Sequence, residues 1–151
     1  MKLVVFELGL TGSFGNTQLS QQIRTTKDVQ LEAIRPHLYV EDNPSGSLFI
    51  EVQDNNNKTI ATSNAVTVSS ITGGSTYFHG YVRFDILIGL RESVAYNVAL
   101  KSTGYTYSPT SFVGWANDFD LRKAIASVPS PVGVSSPLDM ELWERKQVMR
   151  G

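Results

Sequence analysis

The chain is predicted to be all-β: an antiparallel two-sheet β-sandwich or jelly roll, followed by a C-terminal extended arm and a short helix. Three observations predict it. From Tyr77 to Ile88 and again from Val94 to Ser102, apolar and polar residues alternate with the period of two that a half-buried antiparallel pair requires. Val82, Phe84, Ile86 and Ile88 share one face of the first run, and Tyr96, Val98 and Leu100 one face of the second. Short β-prone runs recur between turn signals, and no helical period of useful length precedes residue 120.

The elements follow in order. Leu3 to Leu10 is apolar but interrupted by Glu7, too short for a membrane span of about 20 residues and without a small-residue cleavage site behind it. It reads as a first strand. After Gly9, Gly12 and Gly15, Leu19, Gln21, Ile23 and Thr25 fall on one side of a second. Val29, Leu31 and Ala33 continue the alternation, but beyond Pro36 the apolar positions are Leu38 and Val40, so the phase slips by one residue and a bulge is expected near Arg35 and Pro36. Asn43-Pro44-Ser45-Gly46 is a turn. Leu48, Ile50 and Val52 follow on one face, and the run Asp54 to Lys58 turns the chain into a hairpin partner over 59–62. Ala65 to Ile71 reads as a short β-prone run, and a last strand is expected around Phe112 to Phe119.

Residues 1–120 thus form the sandwich and 121–151 a different kind of chain. Pro129, Pro131 and Pro137, mixed with Gly133 and several serines, indicate an extended arm. Ser136-Pro137-Leu138-Asp139 carries the signals of a helix start, which predicts a short helix over 138–150. Such a helix is marginal alone in water, so Leu138, Leu142, Trp143 and Met149 are candidate partner-binding residues.

At 151 residues the chain suits one domain, burying roughly two-thirds of its unfolded surface without staples. Cysteine is absent, so there is no disulfide framework and no thiol nucleophile. A formal charge of −1 gives no long-range pull toward nucleic acid or an anionic membrane, and neither is expected as a partner.

A set of strand and turn positions carries a resemblance: Gln21-Gln22-Ile23, His37-Leu38-Tyr39-Val40, Gly46-Ser47-Leu48, Val52-Gln53-Asp54, Ala61-Thr62-Ser63, Tyr81 to Phe84, Tyr96 to Leu100, and Gly114-Trp115 with Asp118-Phe119-Asp120. Over about residues 15 to 120 the chain resembles jelly-roll domains of the carbohydrate-binding-module type, in the versions found among virion proteins of tailed bacteriophages. The resemblance implies a structural virion component, a capsid decoration (cement) protein or a tail or fibre module. Capsid or tail proteins, and further copies in a homo-oligomer, would then be its partners. It supplies no catalytic motif.

Candidate chemistry is sparse. His37 and His79 each lie beside aromatic residues in a strand, where packing is the simpler role. Asp118 and Asp120 are close acids near aromatics but have no apolar pocket to raise a pKa, and no G-x-S-x-G nucleophile elbow occurs, so no enzyme is expected. Catalytic, cofactor and metal residues are therefore assigned to none. Structural calcium, which the resembled modules often hold, would draw on Asp54, Asn55, Asn56 and Asn57 or on Asp118 and Asp120; a hairpin turn accounts for the first group without a metal. Among the aromatics Tyr77, Phe78, Tyr81, Tyr105, Tyr107 and Trp115, the candidate platform for a surface glycan is Tyr105, Tyr107 and Trp115, with core and corner packing as the competing role. The alternative function is accordingly a carbohydrate-binding module.

Overall fold

Alternation along the chain turns into two facing sheets. The computed structural model describes residues 1–3, 6–14, 18–108, 110–116, 122–124 and 138–145. The strands are β1 (Phe6–Phe14), β2 (Gln18–Thr25), β3 (Val29–Glu41), β4 (Ser47–Gln53), β5 (Thr59–Thr62), β6 (Val66–Thr67), β7 (Tyr77–Tyr81), β8 (Phe84–Leu90), β9 (Ala95–Thr103), β10 (Phe112–Ala116), β11 (Arg122–Ala124) and β12 (Met140–Glu144), with one helix, α1 (Val68–Thr72). One sheet runs β1-β2-β9-β4-β5, with β6 also on β4; the other is built on β3. Every pairing is antiparallel, and the chain crosses between the sheets at β2–β3, β3–β4, β6–β7, β8–β9 and β9–β10.

The 13-residue β3 is a spine carrying two strands on each edge. β8 pairs with its first half and β7 with its second; on the other edge, β12 pairs with the first half and β10 with the second. Pro36 explains the break between β7 and β8. Its carbonyl accepts from Val82 N (3.1 Å), so its ring nitrogen faces the same edge and has no hydrogen to give there. The ladder lapses over Val82 and Arg83.

The core lies between the sheets. Leu48, Ile50 and Val52 of β4, Val98 and Leu100 of β9, and Leu19 and Ile23 of β2 are fully buried, facing Leu31, Ile34, Leu38 and Val40 of β3, Phe84 of β8 and Trp115 of β10. Val82, Ile86 and Ile88 are buried as their phase predicts. Gly46 closes the β3–β4 turn at φ +113°, where a Cβ would stand 2.8 Å from the Thr103 carbonyl oxygen, so glycine is required by conformation and by space.

Three expectations are corrected. The phase slip of β3 lies at Ala33 and Ile34, both fully buried, rather than at Arg35 and Pro36; the register against β8 and β12 shifts between Leu31 and Ala33. Residues 65–71 divide into the two-residue β6 and α1, because the Thr67 side chain accepts from Ser70 N and caps a helical turn that Gly73 ends at φ 60°. Of the strand expected around Phe112 to Phe119, β10 covers Phe112–Ala116, and 117–121, with Asp118 and Asp120, lie outside the described residues.

The third correction concerns the C-terminal helix. Met140–Glu144 is a strand, hydrogen-bonded along β3, with Met140 and Leu142 inward and Glu141 and Trp143 outward. A helix would place Met140 on the side opposite Leu138 and Leu142, whereas the period of two sends all three into the core and fills the open edge of β3, so tertiary context overrides the local start signal. Residues 1–3 complete the edge: Lys2 bridges to Trp143, and Leu3 N donates to the Leu142 carbonyl (2.7 Å).

Candidate functional site

The outward residues of β3 are Arg35, His37, Tyr39 and Glu41, and those of β7 are Tyr77, His79 and Tyr81, which alternate with the inward Phe78 and Gly80. Register places Tyr81 opposite His37, His79 opposite Tyr39 and Tyr77 opposite Glu41. The rings stand in a row. His37 stacks on His79 at 4.5 Å between centroids with planes 4° apart, and on Tyr81 at 4.8 Å. Tyr39 meets Tyr77 edge-on at 5.2 Å and lies 5.8 Å from Phe112 on β10, which is 6.0 Å from Tyr107. Tyr77 is 48% and Tyr81 37% exposed, and His79 is exposed between them, while Tyr39 is buried under its neighbours.

Carboxylates rim the row. The Tyr39 hydroxyl donates to Glu41 Oε2 and the Tyr81 hydroxyl to Asp139 Oδ2, and the same Asp139 oxygen lies 3.3 Å from His37 Nδ1. Asp139 is held in place by its backbone. Its N–H donates to the Ala116 carbonyl (2.9 Å), and its carbonyl accepts from His37 N (3.0 Å) and Trp115 Nε1 (2.6 Å).

Beyond Asp139 the surface becomes ionic. Glu141 lies 3.1 Å from Lys2 Nζ and 3.0 Å from Arg35 Nη1 and accepts from Trp143 Nε1 at 3.2 Å; the Arg35 guanidinium lies 5.6 Å from the Trp143 ring centre. Burial alone would raise the Glu141 carboxyl, but the bonds from Lys2 and Trp143 and the charge of Arg35 outweigh it and hold the group below its ordinary range. Elsewhere, a hollow of about 470 Å³ at the β3–β4 turn is lined by residues 43–47 with Thr67 and Ser69.

The residues singled out from sequence are dispersed. Trp115 is fully buried and cannot present a face to a glycan. Tyr105 is half-buried, its hydroxyl accepting from Val113 N (3.0 Å), and burial pushes its pKa up to about 12. Of that trio only Tyr107 borders the ring row. Leu138 and Leu142 lie in the core of their own sandwich, Trp143 is half-buried beside Arg35, and Met149 lies outside the described residues. Asp54 closes the β4–β5 hairpin, its Oδ1 accepting from Asn56 N (2.9 Å) and Lys58 N (3.0 Å). His79, Tyr39, Glu41, Phe112 and Asp139 were not grouped from sequence. Their signal was the spacing of Tyr77, His79 and Tyr81 against His37 and Tyr39, with rings on the solvent phase of two strands.

No family model matches the chain, and no curated protein or solved structure is significantly similar to it.

Proposed function

We propose that the protein is a non-enzymatic jelly-roll binding module that takes a carbohydrate on the ring row of β3 and β7. The observation that carries this reading is the exposed set Tyr77, His79 and Tyr81, backed by His37 and Tyr39 and rimmed by the carboxylates of Glu41 and Asp139. Ring surfaces suit the C–H faces of a sugar, and carboxylates, phenols and imidazoles suit its hydroxyls. Five strand residues at a rise of roughly 3.4 Å give the row a length of about 14 Å, that of a short oligosaccharide. A glycan array followed by calorimetry tests the reading. Tyr77→Ala and Tyr81→Ala should each weaken binding by about fivefold or more, the worth of a ring contact of roughly 1 kcal/mol. Binding that survives both substitutions, or an array with no hits, overturns it.

A second reading, a structural component of a tailed-phage particle, is favoured by the resemblance of strand and turn positions over residues 15 to 120. It is compatible with the first if the module belongs to a tail or fibre. A mass-spectrometric inventory of a purified particle tests it, and absence of the chain from the particle refutes it.

A further inference from the structure

The sheet face that carries the ring row holds a cation of its own beside the row. Trp143 Nε1 donates to Glu141 Oε1 at 3.2 Å, and the Arg35 guanidinium completes the group, 3.0 Å from the same oxygen and 5.6 Å from the Trp143 ring centre. A ring whose polar hydrogen is given to a carboxylate offers a positive charge two attractions, the anion and the ring face.

The same unit recurs at each end of the row. At one end Tyr81 gives its hydroxyl hydrogen to Asp139; at the other Tyr39 gives its hydrogen to Glu41, which has the exposed Tyr77 opposite it in register. Among the described residues neither carboxylate pairs with a lysine or arginine. Arg35 and Lys2 both go to Glu141, and Asp139 has the imidazole of His37 beside it. The hydroxyls engage Asp139 Oδ2 and Glu41 Oε2, so Asp139 Oδ1 and Glu41 Oε1 lie outside these contacts. The Asp139 side chain is 22% exposed and Glu41 is half-buried, so both charges are within reach of a ligand and partly shielded from water. His37, next to Asp139, and Glu41 are separated along β3 by about 14 Å at roughly 3.4 Å per residue, too far for one ammonium to meet both.

We propose that the ligand of the row is a basic oligosaccharide, a chain of amino sugars whose ammonium groups meet Asp139 at one end and Glu41 at the other while its ring faces lie on Tyr81 and Tyr77. The inference rests on the row being a carbohydrate site and adds the class of sugar. An acidic sugar would set its carboxylates against those of the protein, so the same two residues select against it.

Calorimetry on the full chain compares a glucosamine tetramer, with its amines protonated, against its N-acetylated form, a glucose tetramer and a galacturonic acid tetramer. The glucosamine tetramer should bind about fivefold tighter than the N-acetylated form, the gain of two partly exposed ion pairs, and its lead should shrink as salt rises. The galacturonic acid tetramer should not bind. Glu41→Gln and Asp139→Asn should each lower the ratio, whereas Glu92→Gln, which removes the same charge at the exposed turn between β8 and β9, should not. Equal binding of the N-acetylated or glucose tetramer, lost in Tyr77→Ala and Tyr81→Ala, overturns the proposal and leaves the carbohydrate reading standing; no binding of any tetramer overturns both. A ratio lowered as much by Glu92→Gln as by Glu41→Gln, or oligolysine bound as tightly as the glucosamine tetramer, also overturns it, because charge without the sugar rings would then suffice. Should a variant fail to fold, the wild-type ratio and its salt dependence decide.

Discussion

Gln21→Met probes the contact on which docking of β12 most depends. Gln21 is fully buried on β2, its Oε1 accepting from Leu138 N at 2.8 Å and its Nε2 donating to the Gln22 carbonyl at 3.1 Å. Methionine nearly matches its length and flexibility, so the substitution opens no large cavity, but it leaves the buried Leu138 N–H without that acceptor. An orphaned buried donor costs about 1–3 kcal/mol. For a domain of this size each kcal/mol lowers Tm by roughly 2–4 °C, which predicts a fall of about 2–12 °C. Urea melts should move their midpoint without changing slope. Hydrogen exchange supplies the local readout, since the Leu138 amide should lose protection ahead of amides in β4 and β9. A stability change within about 0.5 kcal/mol, with Leu138 still protected, would refute the reasoning.

Two further outcomes follow from burial and charge. Phe84→Ala should cost about 3–5 kcal/mol, because the ring is fully buried between the sheets, whereas Arg83→Ala, an exposed residue paired with the exposed Asp85 at 2.9 Å, should cost under about 1 kcal/mol; denaturant melts in the reverse order would overturn the strand phase. Tyr105, its pKa raised by burial from 10.0 to about 12, contributes stability that is complete below its unfolded pKa and lost as pH rises through the folded one, so wild type should lose stability over that interval more steeply than Tyr105→Phe. Parallel melts and spectrophotometric titrations from pH 9 to 12 check it; identical slopes, or no late-ionising tyrosine missing from the variant, would contradict the assignment.

Period two made most of the core legible. Leu48, Ile50 and Val52, then Phe84 to Ile88, then Tyr96 to Leu100 alternate in sequence and are buried in that phase. Gln21 was placed on the inward side with Leu19 and Ile23 although it is polar, and it lies there because a backbone donor from the far end of the chain meets it. Two of the failures turn on the contest between local preference and tertiary pairing. Capping residues near Thr67 and Ser136 state a local preference, and at Thr67 the local preference prevails, with Gly73 closing the turn it starts. At 138–144 the unpaired edge of β3 offers a ladder and a groove, and the strand prevails. The ring row was hidden for a related reason. His37 and Tyr39 are separated from Tyr77, His79 and Tyr81 by about forty residues, and only the register of β3 with β7 sets His37 against Tyr81 and Tyr39 against His79.

Asp139 joins the ring row to β12. Its carboxylate accepts the Tyr81 hydroxyl beside His37, while its backbone ties the start of β12 to Ala116, His37 and Trp115. A chain with β12 undocked therefore lacks the carboxylate at that end of the row, and a ligand that needs the completed row binds only the docked state. Linkage then runs in both directions: ligand at 100 times its Kd stabilises docking by about 2.7 kcal/mol. Asp139→Asn separates the two roles. Because it keeps the backbone bonds, it should weaken ligand binding while leaving the Leu138 amide as protected from hydrogen exchange as in wild type; lost protection with undiminished ligand binding would show that the carboxylate serves docking rather than the row.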